Sequence, residues 1–242
     1  MSVMREALLA IVAMALCTGC GSDDDKGNSG GGSTEGPMVA CGEEPTSKGD
    51  ATYYTFADGS GACGFPATPN DLMVGAMNAP DYGASDPCGA CAHVVGPDGE
   101  VTIRIVDLCP ECSKGSIDLS PQAFEKIAAI DKGRVPITWQ YVPCNVSGPV
   151  SYHFKDGSNQ WWTAIQMRNI RFATSKLEFE KDGDFVPVAR LDYNYFVADS
   201  GMGAGPLTLR VTDVHGSALV DTGVALGDNA DRQGAEQFPA CQ

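Results

Sequence analysis

Ile103–Pro121 reads IRIVDLCPECSKGSIDLSP and carries three carboxylates, a Cys-x-x-Cys pair and a helix start within nineteen residues. Val101, Ile103 and Ile105 alternate with Thr102, Arg104 and Val106, the period-2 pattern of a half-buried strand. Carried one step further, that period puts Asp107 on the face of the three apolar residues, where the strand runs out. In Ile117-Asp118-Leu119 the two apolar neighbours face one way and Asp118 the other. A strand so short holds a carboxylate rigidly at a sheet rim, where ligand contact can happen. Ser120-Pro121 then supplies an N-cap residue and a proline at the first helical position. The competing reading is that both aspartates cap turns and bind nothing, since Asp is a common turn residue.

Working outward, Ala51–Phe56 has strand composition and ends in the turn cluster Asp58-Gly59-Ser60-Gly61. Further strands are expected at 91–95 and 101–107, and a last one where Ile137, Trp139 and Tyr141 alternate with polar residues. Trp139 is read as core. Phe124, Ile127 and Ala128 form an apolar stripe at helical spacing, stopped by Gly133. Several short strands and one helix point to a small β-barrel-like domain over 48–145. Asn145-Val-Ser-Gly-Pro149 marks a boundary. Beyond it, strands are expected at 150–154, 161–168, 175–180, 185–189, 193–198 and 206–213, with a hairpin turn at Lys181-Asp-Gly-Asp184. That pattern predicts a β-sandwich over 146–242, in a chain that is mainly β throughout.

With a net charge of −15 over 242 residues, the surface will not seek nucleic acid, and a neutral partner is the better expectation. Arg5 and the apolar run Ala7–Leu16 make residues 1–20 an export signal. Leu16-Cys-Thr-Gly-Cys20 resembles a bacterial lipobox, with Cys17 at a position where leucine is usual, so Cys20 is the candidate lipidated residue. Residues 21–47 are rich in Gly, Ser and acidic residues, and read as a flexible tether. Cys88-x-x-Cys91 and Cys109-x-x-Cys112 have zinc-ribbon spacing, but an exported chain meets an oxidising compartment. The eight cysteines Cys41, Cys63, Cys88, Cys91, Cys109, Cys112, Cys144 and Cys241 are therefore read as four disulfides. The histidines are scattered, and neither a His-Glu-x-x-His nor a Gly-x-Ser-x-Gly motif occurs. No metal and no cofactor are expected.

Trp161-Trp162 opens one of the sandwich strands. Regular alternation would put one of them in the core and one outside; both face outward only where a bulge or twist opens the strand. Tyr193 lies on another strand and shares the exposed face. A row of flat aromatics on a sheet suits the apolar faces of sugar rings. The competing reading buries both tryptophans.

These residues resemble a bacterial expansin. Ala51-Thr52-Tyr53, Val106-Asp107-Leu108 with Pro110-Glu111, Gly115–Pro121 and Ala123-Phe124 look like the family's first domain in order and spacing. Trp161-Trp162-x-Ala-Ile-Gln-x-Arg-Asn and Asp192-Tyr193-Asn194-x-Phe196 are similar to the second. The resemblance implies a six-stranded double-psi β-barrel followed by an immunoglobulin-like, family-63-type carbohydrate-binding domain. It also implies wall loosening without hydrolysis. By resemblance Asp118 is the groove acid, with Thr52, Asp107 and Glu111 around it. Trp161, Trp162 and Tyr193 form a cellulose-binding row beside Lys155, which implies that both tryptophans are exposed. Tyr54 stands where bacterial members carry Thr, and Cys109 where many carry a groove aromatic. The Cys88 and Cys144 motifs look plant-type, and that analogy implies the pairs Cys63–Cys88 and Cys91–Cys144. Cys109–Cys112 and Cys41–Cys241 remain.

Glycosidases need two carboxylates flanking the scissile bond. Asp118 can serve as an acid, but Ala51–Phe56 offers no base. Asp107 and Glu111 come from the same side of the barrel as Asp118, and Asp58 sits in a turn. The expectation is therefore a non-enzymatic, monomeric, exported protein, either secreted or held at the cell surface by a lipid. It would bind cellulose or another neutral wall glucan, with peptidoglycan as a further polymer. The alternatives are a glycan-cleaving enzyme (an endoglucanase or lytic transglycosylase) using Asp118 as its single acid, and a binding module with an idle groove.

Overall fold

The computed structural model describes Met38, Val39 and residues 44–241. The export signal, Cys20, Cys41 and most of the expected tether lie outside the described residues. Within 21–47, β1 (Met38–Val39) pairs in parallel with the chain's last strand, and Ser47 already belongs to the barrel.

Six strands close the first domain: β2 (Ser47–Tyr53), β3 (Val74–Asn78), β4 (Cys91–Val95), β5 (Glu100–Cys109), β6 (Ile117–Leu119) and β7 (Val135–Val142). Their order around the barrel is β2-β6-β3-β5-β4-β7. The β2–β6 and β3–β5 pairs are parallel and the rest antiparallel. Ile103, Ile105, Ile117, Leu119 and Phe124 are essentially fully buried at its centre. Trp139 is core, and its indole N–H donates to the Gly115 carbonyl at 2.7 Å.

β5 departs from the expected alternation. Gly75 lies opposite Ile105 and Ala76 opposite Asp107, so Val106 is an extra residue, a β-bulge. Ile105 and Val106 are both buried and Asp107 is half-buried. The bulge thus shifts Asp107 out of phase with Val101, Ile103 and Ile105, correcting the face expected for it. The helix is also shorter than its apolar stripe. Ser120 caps the Ala123 N–H at 3.0 Å and Pro121 opens the turn, but the helix ends at Phe124. Ile127 gives its carbonyl to the Asp98 N–H of the β4–β5 hairpin at 3.0 Å. A turn and the 3₁₀ segment Ile130–Lys132 then lead to Gly133.

The second domain comprises β8 (Ser151–Phe154), β9 (Thr163–Arg168), β10 (Thr174–Lys181), β11 (Asp184–Arg190), β12 (Phe196–Ala198), β13 (Leu207–Asp213), β14 (Ala218–Val224) and β15 (Ala230–Gln233). β16 (Ala240–Cys241) returns to β1. The eight strands run in the order β14-β13-β10-β11-β12-β9-β8-β15. β11 belongs to both layers: its first part pairs with β10, while Ala189 and Arg190 pair with β12. Tyr152, Phe154 and Ile165 from one layer meet Leu177, Leu209 and Val211 from the other in a single core, which makes this a sandwich. The 181–184 turn is a two-residue hairpin with Asp182 and Gly183 both at positive φ.

Both domains lie within one compact unit. The Cys63 carbonyl, in the barrel, accepts from Gln166 Nε2 at 2.9 Å and Asn194 Nδ2 at 3.2 Å, both in the sandwich. Tyr82 and Ser85 donate to the Asp192 and Leu191 carbonyls. Arg190 crosses the other way to the Asp86 carbonyl at 3.2 Å. Three disulfides close with both partners among the described residues: Cys63–Cys88, Cys91–Cys144 and Cys109–Cys112. The pairing expected of Cys41 with Cys241 involves a residue outside the described ones; Cys241 itself is disulfide-bonded.

Candidate functional site

Parallel pairing of β2 with β6 puts Thr52 directly beside Asp118. Ile117 and Leu119 are fully buried, which turns the Asp118 carboxyl outward, and the Thr52 hydroxyl donates to its Oδ1. Burial raises the Asp118 pKa above the ordinary carboxylate range. The Thr52 hydrogen bond and Arg134 work against that rise, and the charges of Glu111 and Asp107 add to it. Asp118 therefore keeps its proton to a higher pH than an exposed aspartate does.

The neighbours have separate duties. Asp107 Oδ1 accepts from the Leu108 N–H at 2.8 Å and the Ala62 N–H at 2.7 Å, so this oxygen braces the 58–64 loop against the barrel. Glu111 is exposed, on the turn that Cys109–Cys112 closes. Tyr54 is held by its N–H on the Leu119 carbonyl at 3.0 Å. Its phenol oxygen is buried without a hydrogen-bond partner among the described residues. Burial, then the charges of Asp107, Asp118 and Asp58, push its pKa above the ordinary tyrosine range. The site thus offers a carboxyl of raised pKa with a hydroxyl partner, a braced Asp107 side chain and a phenol that stays protonated.

On the sandwich, β9 starts only at Thr163, so Trp161 and Trp162 lie in the turn before it. Asn159 Oδ1 accepts from the backbone N–H groups of Trp161 and Trp162, at 2.9 and 3.2 Å. That turn takes the pair out of strand alternation, correcting the expectation that one of them is core. Trp161 is 72% exposed. Trp162 is half-buried against a small cluster of Ala164, Tyr195 and Val197, apart from the sandwich core. Tyr193 packs on the same cluster, 5.8 Å from the Tyr195 ring. Asn194 between them has φ 62°, so a turn brings the two rings together. Lys155 Nζ lies 5.6 Å from the Tyr195 ring centroid. Tyr195 is the residue sequence reasoning missed. The Tyr-x-Tyr spacing was its only signal, and the left-handed Asn194 was not foreseen.

One loop joins the two surfaces. A Cβ on Gly61 would come within 2.4 Å of the Asp107 carboxyl carbon, and one on Gly64 within 3.2 Å of the Tyr193 carbonyl oxygen. The backbone between them therefore touches the groove at one end and the aromatic face at the other. Both glycines also have positive φ. Among the described residues no group of three or more His, Cys, Asp or Glu is placed to hold a metal. The four cysteines of the two Cys-x-x-Cys motifs are spread over three bridges.

A domain model described as "Lytic transglycolase" matches residues 46–139, the barrel. Expansin-YoaJ of Bacillus subtilis is 36% identical over 190 residues, covering 77% of this chain and 82% of the relative. Expansin-like protein 1 of Dictyostelium discoideum is 31% identical over 71% of this chain and 64% of its own length. The crystal structure of apo Clavibacter michiganensis expansin superposes with a TM-score of 0.75 at 33% identity, covering 80% of this chain and 98% of that one. A mutant of that expansin, solved in complex with cellohexaose, matches with the same TM-score at 32% identity. Two domains in this order, with relatedness running through both, have one reading: the chain belongs to the expansin family.

Proposed function

We propose that the protein is an exported wall-loosening protein that binds cellulose or a related neutral wall glucan and separates chains without cutting them. The observation that carries this reading is an outward-facing Asp118, paired to Thr52 on the neighbouring strand, on a barrel surface joined by one loop to an aromatic face. Trp161, Trp162 and Tyr193 stack on sugar rings, and Lys155 sits at the margin of the face. Asp118, with Thr52 beside it, exchanges hydrogen bonds with glucan hydroxyls that would otherwise bind a neighbouring chain. Each such bond contributes only about 1 kcal/mol net, so modest binding shifts adhesion locally. The cellohexaose bound by the Clavibacter relative supports glucan as the ligand class. Hydrolysis would need a second carboxylate opposite Asp118, whereas an Asp107 oxygen is committed to two backbone N–H groups.

Extension of wall strips under constant load tests this, with released reducing ends measured in parallel. Extension by wild type without new reducing ends is the expected result. The second reading, glycan cleavage by Asp118 as single acid, draws on the barrel's match to the lytic transglycolase model. New reducing ends or anhydro-muropeptides released by wild type and not by Asp118→Asn would establish it and overturn the first. Peptidoglycan is the second polymer to assay. Export, and a lipid on Cys20, belong to the same proposal, and the mass of the mature N-terminus decides between anchored and secreted forms.

A further inference from the structure

Between barrel and sandwich, beyond the aromatic face, lies a cleft of ≈ 520 Å³ floored by Phe65, Ile170 and the Cys91–Cys144 bridge and lined by Arg104 and Arg168. That volume is in the range of small-ligand sites. Two arginines lining one cleft, Arg104 from the barrel and Arg168 from the sandwich, stand out in a chain of net charge −15. Neither guanidinium is saturated. Arg104 Nη2 donates to Thr68 Oγ1 at 3.2 Å, its nearest carboxylate, Asp71, is 4.0 Å away, and Phe65 lies under it at 5.6 Å. Arg168 donates to Gln166 Oε1 at 2.7 Å and to Asp231 at 3.3 Å. Asp231 also holds His153 at 2.9 Å, and the His153 ring lies 6.2 Å from the Tyr195 ring, so the cleft adjoins the Tyr195 side of the aromatic cluster.

A planar guanidinium fork with free N–H groups in a partly desolvated wall matches a carboxylate. We infer that this cleft takes the carboxylate of a uronate unit or branch on the glucan lying along the aromatic face, with Arg104 as its principal partner. This rests on the glucan-binding reading above. It also narrows the substrate: sparse carboxylates on a neutral backbone are accepted, while a dense polyuronate is repelled by the acidic surface as a whole.

The test is a binding isotherm on plain cellulose and on the same cellulose oxidised at C6 to a low, titrated carboxylate content, at low salt. Wild type is expected to bind the oxidised material at least as tightly as the plain. Arg104→Gln is expected to weaken binding to the oxidised cellulose by about fivefold to tenfold and leave the plain unchanged. Asp71→Asn, which removes the competing carboxylate at the rim, should strengthen it about twofold on the oxidised material alone. If both variants keep the wild-type ratio between the two celluloses, the cleft is not a carboxylate site. A wild type that binds neither material overturns both readings. One that binds only oxidised cellulose, through Arg104, overturns the proposed glucan preference and leaves this site standing.

Discussion

The barrel groove is held by regular strand pairing: Thr52 and Asp118 are register partners, and Ile117 and Leu119 lock the carboxyl outward from beneath. The aromatic face is held by turns: Asn159 folds the backbone N–H groups of both tryptophans onto its side chain, and a left-handed Asn194 brings Tyr193 to Tyr195. The barrel is also the covalently braced region, since all three described bridges fall within residues 63–144. The sandwich rests on an aromatic-rich core with Tyr152, Phe154, Phe196 and Phe238 at its centre. The difference is between a polar site that fixes the position of one carboxyl and a face that offers flat aromatic area. Placing one carboxyl needs a stiff backbone; a flat aromatic surface tolerates the small freedom of a turn.

The harshest way to break that comparison is to remove the bracing. Cys91–Cys144 closes a separation of 53 residues and Cys109–Cys112 one of 3. In the chain-entropy account, Cys91→Ser with Cys144→Ser should cost about 4 kcal/mol of stability, and Cys109→Ser with Cys112→Ser about 1.5 kcal/mol. Urea unfolding measures both, and equal losses would refute a stabilisation that grows with loop length. Next is adhesion: Trp161→Ala with Trp162→Ala should weaken cellulose binding by about tenfold to a hundredfold while leaving the melting temperature close to wild type. A large melting shift would mean that the pair is structural after all.

Asp118→Asn should reduce wall extension about tenfold, the scale of one hydrogen bond to a charged group, and keep cellulose binding within about twofold. If binding falls as far as extension, groove and face are not separate in role. The subtlest probe is Thr52→Val. The Thr52 hydroxyl lowers an Asp118 pKa that burial has raised, so its removal should move that pKa further up in a carboxyl NMR titration. The sign for stability follows. With the folded pKa above the unfolded one, the group's contribution is fully present below the unfolded value and is lost as pH rises through the folded value. Thr52→Val should extend that window to higher pH.

Much of this was readable in advance. Ile117-Asp118-Leu119 alternates cleanly, so the outward carboxyl was legible from three residues. The hairpin at 181–184 was legible from its Asp-Gly pair. β3 was not, because all five of its residues are buried, and an unbroken buried run carries no period. β14 and β15 were missed for the opposite reason. Both are largely exposed: β15 (ADRQ) carries almost no apolar signal, and in β14 (ALVDTGV) the apolar residues do not alternate with polar ones, while Asp221 turns in to meet the Tyr152 hydroxyl at 2.7 Å. The bulge at Val106 and the turn under the tryptophans defeated alternation in the same way, each by ending or shifting a strand one or two residues from where composition placed it. The joint between the domains had no residue-type signal, since its central acceptor is a backbone carbonyl.

That acceptor sets a mechanical property of the molecule. The Cys63 carbonyl takes two amide donors from the sandwich while its own side chain is tied to Cys88, so a pull on the aromatic face reaches the groove through a cross-linked residue. Such a molecule behaves less like two beads on a string than like a bracket. The joint between the domains is thus anchored in the same residue that the Cys63–Cys88 bridge cross-links, so reducing that bridge would loosen the joint and the barrel loop together.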